Sequence, residues 1–164
     1  MTAMRIRVVV ASEAEAAFYD LSSRLRAPTL ISRLSDPLAH LHDRDFKSDR
    51  PGRFFHHAPA AGQRRGAVAR HGTGGERRPR KQEAVLFARK IVEQLEQARA
   101  QHEFDRLVVM AGPGFLGLLR KAIPEALRAQ VAAEVRKDLV HEPPRALGAH
   151  IPPQVFHALP AAAS

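Results

Sequence analysis

The chain has 164 residues, about the length of one domain, and its 26 Lys and Arg against 17 Asp and Glu give a net charge of +9. It contains no cysteine, which excludes disulfides, thiolate zinc sites and cysteine nucleophiles, and no apolar run approaches the roughly 20 residues of a membrane span. The basic excess favours a polyanionic partner, either nucleic acid or an anionic membrane.

Three strands are predicted at the start of the chain. They are residues 5–11, 16–21 and 29–34, where β-branched and other apolar residues cluster. The connections between them are very short, as is typical of antiparallel neighbours. The apolar stretch within the first strand, at residues 8–11, is too short for a signal peptide, and we therefore expect a cytoplasmic protein.

Residues 37–80 are predicted to form a long arginine-rich loop. Within it residues 44–80, called the basic segment below, contain ten basic and three acidic residues, an excess of seven positive charges. The segment is rich in Gly and Pro and has almost no aliphatic residues, so it cannot bury enough apolar surface to form a core element. Loops of this length are usually functional or disordered. The arginines that we predict to bind a partner are Arg50, Arg53, Arg64, Arg65, Arg70, Arg77, Arg78 and Arg80.

A Pro51-Gly52 pair lies between the first two of these arginines. Proline and glycine suit the middle of a type II turn. The turn is interpreted either as an anchor that ties the loop to the domain or as a preformed phosphate clamp, and a rigid turn carrying two arginines could serve as both.

The second half of the chain alternates helices and strands. Apolar residues recur every three or four positions over residues 81–100, which predicts the main helix. After it we predict a buried strand, two helices and a final extended segment, at residues 105–111, 112–123, 124–130 and 131–139. A peripheral tail at residues 149–164 follows a domain of residues 4–148. The β-β-β-α-β-α-β order predicts a single α/β domain with a mixed sheet, and this is the order of ribonuclease H-like folds.

No motif in the sequence predicts a catalytic or metal centre. A two-metal nuclease needs several carboxylates at strand ends, and the sequence offers only Glu13 and Asp105 there. Adjacent His56 and His57 point to opposite faces of an extended chain and make a poor pair of ligands. The Gly-Pro-Gly at residues 112–114 is either a tight turn or an anion-holding helix start, and it lacks the phosphate-loop lysine. We therefore predict no metal and no cofactor.

Three segments carry a family resemblance. They are "LHDRDFKSDRPGRFF" at residues 41–55, residues 81–123 with "FDRLVV" and "GFLGLLRKAI", and "VRKDLVHEPP" at residues 135–144. Together they resemble the bacterial host attachment family, the proteins required for attachment to host cells, over roughly residues 4–148. That family is similar in turn to the middle domain of archaeo-eukaryotic peptide-chain release factors. The resemblance implies the same α/β fold, with the loop before the main helix where release factors carry a Gly-Gly-Gln tip.

The sequence leaves more than one function open. In the first, the chain is a non-enzymatic RNA- or ribosome-binding module whose arginines bind phosphates through their planar guanidinium groups. In the second, it supports attachment to host cells, indirectly or at the surface, with the same loop against anionic glycans or lipids. A third is peptidyl-tRNA ester hydrolysis through Gly62-Gln63, with Gln63 as the candidate residue. Ala61 argues against it, because alanine restricts the backbone where the first glycine of the triplet would stand.

Overall fold

A five-stranded mixed sheet forms the centre of the molecule, with strand order β3-β2-β1-β4-β5. The computed structural model describes residues 4–22, 25–39 and 77–157. The strands are β1 (Arg5–Ala11), β2 (Glu15–Ser22), β3 (Leu25–Ser35), β4 (Arg106–Ala111) and β5 (Val131–Val135). The helices are α1 (Arg77–Ala100), α2 (Pro113–Ala122), α3 (Glu125–Arg128), α4 (Pro144–His150) and α5 (Gln154–His157). The prediction of a single α/β domain with a mixed sheet is confirmed.

The central strand β1 is antiparallel to β2 and parallel to β4, and β5 continues the parallel half of the sheet. Its side chains are buried on both faces: Val9 packs in one apolar cluster, and Val8 and Val10 pack in the other. Burial on both sides accounts for the uninterrupted apolar run of this strand. The first cluster lies under α1, α2 and α3, and the second lies under α4 and α5, so helices cover both faces of the sheet.

The outer strands differ from their predicted limits. β3 begins at Leu25 instead of residue 29 and runs through Pro28, which an edge strand tolerates because one side of its backbone makes no ladder hydrogen bonds. Its register against β2 shifts between Phe18 and Tyr19, which marks a bulge. β5 ends at Val135 instead of residue 139. These differences lie at the edges of the sheet, where pairing is one-sided.

Helix α1 begins at Arg77, four residues before its predicted start. The predicted loop is therefore too long at this end, and Arg77, Arg78 and Arg80 belong to the first turns of the helix. Pro79 is compatible with this, because the first N–H groups of a helix have no intrahelical partner to lose. The buried stripe of α1 includes Phe87, which is 1 % exposed, and it fixes this helix across the sheet.

The chain remains packed beyond the predicted domain boundary at residue 148. Ile151 and Val155 are buried in the second apolar cluster together with Leu147. Residues 149–157 therefore supply side chains to the hydrophobic core. None of the described helices is long and apolar enough to cross a bilayer.

Candidate functional site

Most of the predicted binding residues lie outside the described part of the chain. These are Arg50, Arg53, Arg64, Arg65 and Arg70, together with Gly62-Gln63. Arg77 and Arg78 are placed in the first turn of α1 by its backbone. Arg80 is half-buried and lines a cleft, and its side chain lies within the part of the chain that the structure describes.

This cleft has a volume of about 400 Å³ and lies at one end of the sheet. Its walls come from residues that directly follow strands and from the starts of α1 and α2. The strand ends supply Ser12 after β1, Asp36 after β3, Gly112 after β4 and Asp138 beyond β5. In open α/β sheets, ligands bind outside the carboxyl ends of parallel strands, which makes this cleft the candidate functional site.

Asp36 fixes the chain where it leaves β3. The residue is only 6 % exposed, and its N–H donates to the carbonyl of Ala14 at 2.8 Å. Its Oδ1 accepts the N–H of Leu38 at 3.1 Å. These bonds hold the end of β3 against the β1–β2 turn and direct the chain to Ala39, which lines the cleft.

The chain after β3, which leads into the basic segment, and the start of α1, where the segment ends, both lie at the cleft. Ala39 lines the cleft shortly before the segment starts, and Arg80, the last residue of the segment, lines it as well. Arg77 is about 4.5 Å from Arg80 along the helix axis, since the rise is 1.5 Å per residue. The fold thus positions Ala39 and Arg80, the described residues before and at the end of this stretch, at the carboxyl end of the parallel strands.

Ser12 forms the turn between β1 and β2. Its Oγ accepts the N–H groups of Ala14 at 3.3 Å and Glu15 at 3.2 Å, and its own N–H donates to the carbonyl of Glu15 at 2.7 Å. The hydroxyl is committed to this turn, as serine often is in such positions. Its role at the cleft is to shape the turn that presents Glu13.

The Gly-Pro-Gly sequence forms a tight turn into α2. Gly112 is the N-cap without a side-chain hydrogen bond, and its carbonyl accepts the N–H of Leu116 at 2.9 Å. Pro113 occupies the first turn, where its missing N–H has no cost. A Cβ at Gly112 would lie 3.8 Å from the Cβ of Asp138, an ordinary contact. The turn interpretation of this motif therefore accounts for the geometry.

The charges that line the cleft are mixed. Its carboxylates are Glu13, Asp36, Glu83 and Asp138, and Arg80 lies among them. Within the described residues, no group of three or more His, Asp or Glu side chains could hold a metal ion. None of the four carboxylates is predicted as a site residue from the sequence, which considers only Glu13, as an isolated carboxylate after the first strand. They come from separate parts of the chain, and their only shared signal is a position just after a strand or near the start of a helix.

Asp105, the other carboxylate considered from the sequence, is not part of the cleft. Its Oδ2 accepts the N–H of Arg5 at 2.9 Å, and its other oxygen lies 3.6 Å from the Arg5 guanidinium. Arg5 is at the start of β1, whereas Glu13 follows the end of that strand. The two carboxylates named from the sequence therefore lie at opposite ends of the sheet.

Comparison with protein families gives one match over most of the chain. The model of the family described as "Protein required for attachment to host cells" matches residues 7–151. No curated protein matches the chain. The matched range begins within β1 and ends after α4, so it includes most of β1, the other four strands and every described residue that lines the cleft.

Proposed function

We propose that this chain, which belongs to the family of proteins required for attachment to host cells, acts as a non-enzymatic, cytoplasmic RNA- or ribosome-binding module. The observation that carries this proposal is that Ala39, which precedes the basic segment, and Arg80, which is its last residue, both line the cleft. Both residues belong to the packed part of the chain at one end of the sheet, and the basic segment, which lies between them and includes Arg80, has an excess of seven positive charges.

Arginine suits such a surface because its planar guanidinium can bind a phosphate through two parallel hydrogen bonds. Phosphate contacts position a protein on a nucleic acid but do not read its sequence. The segment contains few groups suited to reading base edges. We therefore propose binding that is electrostatic, dependent on salt and weakly specific for sequence.

The order of the sheet supports a relationship to ribonuclease H-like folds and, through the family resemblance, to the middle domain of release factors. In that relationship the basic segment corresponds to the loop that carries the Gly-Gly-Gln tip. This correspondence supports ribosome binding through the basic segment. It does not support hydrolytic activity, because Ala61 replaces the first glycine of the Gly-Gly-Gln tip.

The family description favours a second function, attachment to host cells. In this alternative the same arginines contact anionic glycans or lipids, or the chain supports attachment indirectly. A direct role at the cell surface would place the protein in a different fraction of the cell from ribosomes, which allows a direct comparison.

Sedimentation of cell extracts separates the two proposals. RNA or ribosome binding predicts that the protein pellets with ribosomes at low salt, and that high salt or nuclease treatment releases it. Labelling of intact cells with a membrane-impermeant reagent detects the surface-exposed alternative. A protein that stays in the supernatant at low salt and is labelled on intact cells would contradict the first proposal.

A further inference from the structure

Asp36 stands where the chain leaves the sheet on its way to the basic segment. It directly follows Ser35, the last residue of β3. Residues 37–39 are helical, and Pro37 occupies the first helical position, where a missing N–H has no cost. The Oδ1 of Asp36 accepts the N–H of Leu38 at 3.1 Å, which is the hydrogen bond of an aspartate N-cap. Asp36 therefore holds this helical turn at the end of the strand.

The side chain of Asp36 acts on the backbone instead of on another charge. It is buried, and of the ion pairs among the described residues none includes it. Its own N–H donates to the carbonyl of Ala14, and the N–H of Ala14 donates in turn to Ser12 Oγ at 3.3 Å. A continuous series of hydrogen bonds thus links the β1–β2 turn to Leu38.

Only a short length of chain separates this turn from the basic segment. The segment starts at residue 44, five residues after Ala39, and five residues of chain span at most about 18 Å. Ala39 itself lines the cleft. The orientation of the turn at residues 37–39 therefore limits where the segment can begin relative to the cleft.

From these observations we infer that Asp36 is a positioning residue for RNA binding. By capping the turn at residues 37–39, it fixes the chain that enters the basic segment before RNA binds, and its carboxylate contacts no RNA. A chain that is ordered beforehand loses less conformational freedom on binding, which raises the affinity. This inference rests on the proposed RNA-binding function.

The test compares the affinities of Asp36→Ala, Asp36→Asn and the natural protein for a fragment of ribosomal RNA. Loss of a negative charge by itself should strengthen binding to a polyanion. Positioning predicts the opposite for Asp36→Ala, a decrease of about fivefold, the factor that corresponds to a typical N-cap. Asparagine caps helices as well as aspartate does, so Asp36→Asn should bind at least as tightly as the natural protein. The salt dependence of all three should be nearly the same, because the phosphate contacts do not change.

A second variant, Leu38→Pro, tests the same hydrogen bond without changing a charge. It removes the N–H that Asp36 accepts, at a side chain that is 51 % exposed, and it should weaken RNA binding as Asp36→Ala does. The matched control is Asp105→Ala, which removes a carboxylate that accepts a backbone N–H at the opposite end of the sheet. Its affinity for RNA should not fall. All variants are compared at a temperature at which circular dichroism shows them to be folded.

The outcomes separate this inference from the proposed function. An affinity of Asp36→Ala or Leu38→Pro equal to or above that of the natural protein would overturn the role of Asp36 and leave RNA binding in place. An equal loss of affinity in Asp36→Asn or in Asp105→Ala would overturn it as well, because neither change removes the cap. A natural protein without salt-dependent RNA binding would overturn both.

Discussion

The Arg7 guanidinium is buried in the middle of charged and aromatic neighbours. Its side chain is 5 % exposed, and it donates from Nε to Asp20 at 2.6 Å and from the other end of the guanidinium to Glu103 at 3.1 Å. It also lies 5.5 Å from the centre of the Phe104 ring. Both carboxylates are 42 % exposed, so water remains available to them if the arginine is lost. Loss of both carboxylates would leave the buried guanidinium without a compensating charge, whereas loss of the guanidinium would leave two carboxylates that water can solvate.

This asymmetry predicts two different losses of stability. Asp20→Ala/Glu103→Ala leaves an uncompensated buried charge and should lower the free energy of unfolding by on the order of 3 kcal/mol. Arg7→Met leaves two solvated carboxylates and should cost less. Urea denaturation of the two variants checks the order, and a larger loss in Arg7→Met would contradict this account.

His102 lies two residues beyond the end of α1 in a left-handed conformation, with φ of 54°. Its N–H donates to the carbonyl of Arg99 at 3.0 Å, and the N–H of Glu103 donates to the carbonyl of Ala98 at 3.0 Å. This is the Schellman arrangement, in which glycine is preferred at the left-handed position. His102→Gly should raise stability by about 1 kcal/mol, because glycine adopts this conformation without strain. Thermal unfolding measures the change, and His102→Ala, which retains a Cβ, should give no gain.

Helix α2 contains a glycine that its packing does not require. A Cβ added at Gly117 would meet no atom within 4 Å, whereas Phe115, Leu116 and Leu119 supply the buried face. Gly117→Ala should therefore raise stability by about 0.5–1 kcal/mol through the entropy of the unfolded chain. Gly112→Ala is the matched control at the N-cap, where alanine is disfavoured and a loss is expected. The same melting temperature for both variants would contradict this reading of the helix.

Central and edge elements differ in how much of them the sequence could predict. The limits of β1 match the prediction, because burial on both faces imposes an apolar run that is visible in the sequence. The predicted β3 is too short because Pro28 indicates a strand start, while an edge strand accepts proline within it. The early end of β5 is accompanied by a turn in which the N–H of Val140 donates to Asp138 Oδ1 at 3.4 Å. Such local hydrogen bonds compete with strand pairing and leave no apolar pattern to detect.

The candidate site, by contrast, could be predicted only in part. The sequence identified the charge of the basic segment and the turn at Gly112. It could not identify the cleft, because Asp36, Glu83 and Asp138 are distant in sequence and meet only through the strand order. Each one alone has the pattern of an ordinary solvated carboxylate.

For the molecule as a whole, we expect no hydrolysis of peptidyl-tRNA by this protein alone. A glutamine amide is a poor acid or base, so Gln63 could act only by positioning water or the ester, and this requires a fixed site. Turnover on stalled ribosomes should be the same for the natural protein and for Gln63→Ala. Release activity that disappears in the variant would make Gly62-Gln63 an active tip and reverse the non-enzymatic assignment.

The most direct test of the proposed function is the salt dependence of RNA binding by the natural protein and by Arg64→Gln/Arg65→Gln/Arg77→Gln/Arg78→Gln. A control with Arg33, Lys121, Arg136 and Arg145 changed to Gln removes four exposed charges elsewhere. Log affinity falls as log salt rises, and the account predicts that the steepness of this fall is smaller by about 3 in the first variant, at about 0.7 per phosphate contact. The steepness should change much less in the control. Equal slopes and affinities for the natural protein and the first variant would show that the basic segment is not the RNA-binding surface.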